Sequence, residues 1–185
     1  LHSKTIIKMK LQLKNVKINE AFSEETLMFK ADLFVNGKKV AYAENDGRGG
    51  CTYYNVYSRE LRPILEQAEA YCKTLPSKFH TYGEKTIEIK SNLEHWIDDV
   101  VYEISNNKAI EKHKKKLAKD MLRGICYGSD NGYKILHWKG FTLEQILNRN
   151  DGRELVRRKI EELVNSGETI LNTNLPKDNF GNFLF

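Results

Sequence analysis

The sequence predicts an α+β fold, with an N-terminal antiparallel sheet packed by helices, a long kinked basic helix, a second hairpin and C-terminal helices. Apolar and polar residues alternate with a period of two through much of the first forty-odd positions. Helical spacing of apolar residues then takes over, with Ser, Thr or Asp placed three residues ahead of Glu or Gln at several segment starts. A second hairpin is read on either side of Ser129-Asp130-Asn131-Gly132.

The first strand is read from Ile7, Met9, Leu11 and Leu13, which alternate with Lys8, Lys10 and Gln12 as in a half-buried strand. The start at Leu1 reads as a processed, trimmed or tagged terminus. After Lys14 the phase shifts, so that Val16 and Ile18 point the other way; this predicts a bulge or the strand's end. Leu27, Phe29, Ala31, Leu33 and Val35 form a second run. Asn36-Gly37 follows, the pair that tolerates positive φ in a type I′ hairpin turn. That turn is expected to set Val35 against Lys38, Leu33 against Val40 and Ala31 against Tyr42. Next comes Asn45–Cys51, in which Gly47, Arg48, Gly49 and Gly50 suggest either a nest of backbone N–H groups for an anion or a flexible connection. No Gly-Lys-Ser/Thr follows it, so it is not a Walker A loop, and it does not match the dinucleotide fingerprint.

Ser58 is the expected cap of a first helix carrying Leu61, Ile64, Leu65, Ala68, Cys72 and Leu75, with Pro63 blurring its start and Pro76 stopping it. Thr86–Ile89 reads as a short strand. Ser91-x-x-Glu94 predicts a capping box for a helix that buries Leu93, Ile97, Val100, Val101 and Ile104. Its apolar face and that of Lys108–Arg123 differ by a quarter turn, which predicts a kink or break at Asn106-Asn107. Gly124–Trp138 reads as the second hairpin. Thr142-x-x-Gln145 and Asp151-x-x-Glu154 open a short helix and then a longer one with Leu155, Ile160, Leu163 and Val164. Thr169–Thr173 is a candidate last strand. Pro176–Phe185 is expected to be a loose tail whose Phe180, Phe183, Leu184 and Phe185 would seek a groove.

At 185 residues with 3 Pro and 40% hydrophobic residues, a single domain over 1–185 is expected, with a sub-boundary near 105–108, and it needs no metal or disulfide to fold. Cys51, Cys72 and Cys126 form no CxxC pair and read as three buried thiols in a reducing compartment. No apolar run is long enough to span a membrane.

The net charge is +5, and it is concentrated. Between Lys108 and Arg123 lie seven basic residues and two acids, a local excess equal to that of the whole chain. On a helix, Lys108, Lys112, Lys115 and Lys119 form one stripe with Lys116 and Arg123 beside it, while Ile110, Leu117 and Met121 lie opposite and are expected to pack. Such a face either tracks nucleic-acid phosphates, docks on an acidic protein, or is simply solvated.

The segments LKNVK, SEET and NDGRGG, followed by LEHWID and a lysine-rich helix, resemble a pattern in small phage and prophage accessory proteins of unassigned function. The resemblance implies a phage accessory protein acting in the cytoplasm of a bacterial host; it implies no activity.

Catalytic patterns are weak. His2, His80, His95, His113 and His137 give no HExxH spacing. Glu94/Asp98 and His95/Asp99 are each one turn apart, and carboxylates so placed are usually solvated. Glu88-Ile89-Lys90 is half of a metal-dependent nuclease pattern whose upstream Pro-Asp is missing. Cys51 beside the glycine loop has no base assigned by sequence. The reading is therefore a non-enzymatic binding protein with no catalytic residue, no metal and no cofactor. Its partner would be nucleic acid or an acidic host protein, in the latter case as an inhibitor of a defence effector. A packaged or virion-structural role through the aromatic tail and, last, a nuclease remain as alternatives, and the oligomeric state is open.

Overall fold

A computed structural model describes residues 9–129, 132–177 and 183. The fold is α+β, and the chain packs as two compact units, Leu1–Asn107 and Lys108–Phe185. The expected Ile7, Phe180, Leu184 and Phe185 positions lie outside the described residues, as does the turn at Asp130-Asn131.

The first unit is built on a four-stranded antiparallel sheet ordered β1 (Leu11–Ile18), β2 (Phe29–Val35), β3 (Lys38–Asn45) and β4 (Tyr53–Val56). The period of two gives it a dry face and a wet face. Inward rows run Leu13–Leu33–Ala41–Val56 and Ala31–Ala43–Tyr54. They join one core with Leu65, Ala68 and Cys72 of helix α1 (Arg62–Cys72) and with Leu93, Ile97 and Val101 of helix α2 (Leu93–Met121). The three alanines leave room for a helix to lie close, and Ala68 of α1 is fully buried.

The β2–β3 turn is as the sequence predicts: Asn36 has φ 49° and Gly37 φ 85°, and Val35 faces Lys38. Beyond it the register differs. Leu33 faces Ala41 rather than Val40, and Ala31 faces Ala43 rather than Tyr42. One extra residue enters β3 as a bulge, so Val40 and Ala41 are both buried while Tyr42 turns outward opposite Asp32. A second bulge falls after Lys14, where the phase shift was expected, with Asn15 at φ 54°. It returns Ile18 to the inward row, opposite Phe29.

Helix starts follow the expected places more than the expected caps. Ser58 makes no side-chain cap bond; a 3-10 turn at Arg59–Leu61 precedes α1, and Pro63 sits in its first turn, where no N–H is needed. Asn92, not Ser91, caps α2, its Oδ1 accepting from His95 N at 2.7 Å, while Ser91 donates to the Pro76 carbonyl. The expected break at Asn106-Asn107 is not there: α2 is continuous for 29 residues. Its two apolar faces belong to different units instead, Val101 buried in the first and Met121 buried in the second. Residues 106–112 between them are all exposed, including Ile110, which the spacing had placed on a packed side. Strand β5 (Lys78–Tyr82) pairs with β6 (Lys85–Ile89), which extends the expected strand by one residue.

In the second unit, β7 (Gly124–Ser129) and β8 (Gly132–His137) form the expected hairpin. With α3 (Leu143–Leu147) and α4 (Gly152–Asn165) they enclose Ile125, Ile146, Val156 and Ile160. The Thr142/Gln145 capping box is complete. Asp151 makes no cap bond, because Glu154 is held by Arg157 (2.7 Å) and Arg158 (3.8 Å) instead. Thr169–Thr173 contributes a single bridge, Ile170 to Tyr127, rather than a strand. Phe183 packs against this core and bridges to Lys177, so the tail is not wholly loose. Of the cysteines, Cys72 and Cys126 are buried, whereas Cys51 is exposed, contrary to expectation.

The buried amide of Asn172 ties this unit together. Its Oδ1 accepts from Cys126 N at 2.6 Å, and its Nδ2 donates to the carbonyls of Gly124 (3.0 Å) and Met121 (3.4 Å). Asn172→Ala would strand these backbone groups in the core, and chemical denaturation is expected to show a loss of about 2 kcal/mol or more in the transition of this unit.

Candidate nucleic-acid interface

The C-terminal part of α2 carries the predicted cationic residues, and Lys108, Lys112, Lys115, Lys116, Lys119 and Arg123 are all exposed. They are not equivalent. Arg123 Nη1 pairs with Asp120 Oδ1 at 3.3 Å, and Lys116 Nζ stands 5.8 Å from the ring centre of Tyr133. Asp120, almost fully buried, also accepts from the Tyr133 hydroxyl at 2.9 Å. Burial first, and then this bond, push the Tyr133 hydroxyl up to about 12. Lys116 and Arg123 thus belong to the anchorage of the helix on β8. Lys108, Lys112, Lys115 and Lys119 have no acidic partner among the described residues, and Glu111 is paired with Lys114 at 3.3 Å. Four unpaired ammonium groups are therefore left on one helical stripe.

The glycine loop, in the first unit, keeps the N–H groups of Gly47, Arg48 and Gly49 for acceptors of the protein itself. Gly47 N donates to Asn45 Oδ1 (2.9 Å), Arg48 N to Asp46 Oδ1 (3.1 Å) and Gly49 N to Thr26 Oγ1 (3.2 Å). A nest does exist, made by the N–H groups of Glu24, Glu25 and Thr26, and the carbonyl of Gly47 fills it at 2.9, 3.0 and 3.3 Å. The loop is thus the guest and not the host. Gly50 and the Arg48 side chain are exposed beside it.

Asn45 and Thr52 connect this loop to α2. The Asn45 Nδ2 donates to Thr52 Oγ1 (3.2 Å) and to the Gly50 carbonyl (2.9 Å), Thr52 N donates to Glu94 Oε1 (3.0 Å), and Thr52 Oγ1 donates to Asp98. The Glu94/Asp98 pair on one helix face therefore docks the helix on the sheet. Burial raises the Asp98 carboxyl, against the lowering effect of the Thr52 bond. Glu94 is the main reason the nearby Cys51 thiol is raised, which disfavours a nucleophilic role. A cavity of about 460 Å³ lies beside them, lined by Glu25, Thr26, Phe29, Asp98 and Tyr102. Glu88 of the Glu-x-Lys pattern is exposed on the β5–β6 hairpin opposite Phe79, and no group of three metal-binding side chains occurs among the described residues.

The outward face of the four-stranded sheet was not singled out by the sequence, because the expected register turned Tyr42 inward. Its rows run Lys14–Asp32–Tyr42–Asn55 and Lys17–Lys30–Glu44–Tyr53, with Phe34 opposite Lys39 at the hairpin end. Tyr57 follows β4, and the Tyr42 ring lies 5.9 Å from those of Tyr53 and Tyr57, tilted by 53° and 58°. Lys14 and Lys39 each place Nζ 4.4 Å from a ring centre, of Phe34 and Tyr57 respectively. Asp32 is the hub: it accepts from the Tyr57 hydroxyl, from Asn15 Nδ2 (2.7 Å) and from Lys39 (2.9 Å). Desolvation raises its carboxyl, but these three bonds outweigh it and hold the group at about 2.

Among the described residues, no helix is long and apolar enough to cross a membrane. No family model matches the chain, and neither a curated protein nor a solved structure matches it.

Two outcomes are expected. Gly47 has φ 85°, and a Cβ there would stand 2.3 Å from the Phe22 carbonyl, whereas Gly50 has open space. Gly47→Ala should therefore cost at least about 1–3 kcal/mol in urea denaturation, and Gly50→Ala close to nothing. Asp32 has a folded value below its ordinary 3.8, so its contribution is present above pH 3.8 and is lost as pH falls toward 2. The stability difference between wild type and Asp32→Asn, measured by denaturation across that range, should shrink as the pH is lowered.

Proposed function

We propose that the protein is a non-enzymatic nucleic-acid-binding protein whose basic helix follows phosphates, working as a phage accessory protein in bacterial cytoplasm. One observation carries the reading: Lys108, Lys112, Lys115 and Lys119 share an exposed helical stripe and have no acidic partner among the described residues. Lysines paired within the protein would have to break those pairs to bind phosphate; these do not. Neutralising a phosphate with each of them releases condensed counterions, the main source of sequence-independent affinity. The resemblance of LKNVK, SEET and NDGRGG to phage accessory proteins supports the setting.

An acidic host protein is the second reading, favoured by one feature. Ile110, on the side of the helix opposite the lysine stripe, is 43% exposed, and an exposed apolar side chain there suits a protein partner that covers both sides better than a phosphate backbone.

Anisotropy of labelled duplex and single-stranded oligonucleotides across a salt series tests the proposal. Wild type should bind with affinity that falls steeply with salt. With Lys108, Lys112, Lys115 and Lys119 changed to Glu, duplex binding should be lost; single changes to Ala should each reduce the logarithmic salt slope by about 0.9 on duplex. No binding near physiological salt would overturn it, and a nuclease-resistant complex with an acidic protein that Ile110→Glu abolishes would establish the second reading.

A further inference from the structure

We infer that the outward face of the β1–β4 sheet is a base-stacking platform for single-stranded nucleic acid. This deepens the proposed function by naming the strand state, but it stands on other residues, in the other unit.

The composition of the face is the first argument. A sheet face left in water is ordinarily polar. Here Phe34, Tyr42, Tyr53 and Tyr57 lie on it, with Tyr53 52% and Tyr57 47% exposed. The paired rows around them contain Lys, Asp, Glu, Asn and Gln but no Leu, Ile or Val. A protein-docking face would be expected to mix aliphatic side chains with its aromatics. Aromatic rings interleaved with cations are the combination that single strands use, because every base has a π-face and every nucleotide a phosphate.

Charge is the second. Glu44 is paired with Lys30 at 3.3 Å, and Asp32 is neutralised by Lys39. Lys14, Lys17 and Arg62 keep positive charge without a carboxylate partner among the described residues; Arg62 donates to Asn55 at the β4 edge. Lys14 and Lys39 rest on the rings of Phe34 and Tyr57. A phosphate can draw such flexible ammonium groups aside and leave the ring face to a base.

Shape is the third. The face forms a shallow depression of about 750 Å³ bordered by Asn15, Lys17, Lys30, Asp32, Tyr42 and Tyr57. The Tyr42 ring is tilted to those of Tyr53 and Tyr57 rather than stacked on them, so neither pair hides its ring faces. Splayed bases can reach these rings, whereas a duplex keeps its base faces inside its own stack.

Full-length protein would be titrated with labelled oligo-dT, oligo-U and a blunt DNA duplex. Three proteins are compared: wild type, Phe34→Ala/Tyr53→Ala/Tyr57→Ala, and the four-lysine helix variant. The aromatic variant should lose tenfold or more in affinity for the single strands, about tenfold per stack removed, with duplex affinity unchanged. Tyr53→Phe, which keeps the ring, should bind as wild type. Single-strand binding by wild type should also survive salt that abolishes duplex binding. In case the triple variant unfolds, oligo-dT carrying 5-iodouracil would be photocrosslinked to wild type and the adducts mapped, with attachment expected at Tyr53, Tyr57, Tyr42 or Phe34.

Unchanged single-strand affinity in a folded aromatic variant, or crosslinks only elsewhere, overturns the platform whatever the helix variant does. Loss of duplex binding in the helix variant, with tight single-strand binding retained, supports the platform and the helix separately. Equal wild-type affinity for duplex and single strands overturns the platform and leaves the basic helix standing; no binding to any probe overturns both.

Discussion

Val40 has no partner across the β2–β3 ladder, and that one extra residue decides which face the rest of β3 meets. Side chains alternate with a period of two, so a slip of one exchanges the two faces of a strand. Before the bulge, Lys38 and Lys39 lie beside the turn; after it, Ala41 and Ala43 point inward and Tyr42 points out. Without the extra residue Tyr42 would face inward, and a ring would have to fit into the core that Ala41 and Ala43 now share with Ala68 of α1. Core packing and the aromatic outer face are therefore set by the same irregularity.

Polar groups in the first unit are largely satisfied from within. The three N–H groups most suited to an anion hold the Gly47 carbonyl, and the N–H groups of the loop itself bond to Asn45, Asp46 and Thr26. Asp98, Glu94 and Asp32 each take hydrogen bonds from neighbouring strands or loops. What distinguishes the helical stripe at Lys108–Lys119 is the reverse condition: charge with no internal counterpart among the described residues. Electrostatic attraction to a partner is strongest where it does not compete with the protein's own pairs.

Much of the architecture was legible because it rests on periodicity. The alternation at Phe29–Val35, the positive-φ pair Asn36-Gly37, the Thr142/Gln145 box and the hairpin after Gly124 all have short-range causes. The misreadings have longer-range ones. Register beyond the turn depended on how alanines pack under α1, which no local pattern encodes. A break at Asn106-Asn107 was one of the two outcomes expected from the change of apolar face, whereas a continuous helix carries one face for each unit. Strand β5 went unread since Lys78–Tyr82 is exposed at every position and shows no buried alternation. The lysine stripe was visible in sequence, and so was the local i,i+3 spacing of Asp120 and Arg123; the engagement of Lys116 was not, because Tyr133 reaches it through a tertiary contact. The sheet platform was hidden by the register alone.

The distribution of thiols has a practical consequence. Each unit seals one cysteine in its interior, Cys72 in the first and Cys126 in the second, and burial lifts both thiols to about 11. Only Cys51 meets solvent, and the carboxylate of Glu94 keeps it a poor nucleophile. An alkylating reagent therefore meets little thiolate on the native protein, and each sealed sulfur becomes reactive only when its own unit opens. With Cys51 replaced by serine, the two remaining thiols act as separate stopwatches, one for the breathing of each unit, with no probe added to the chain.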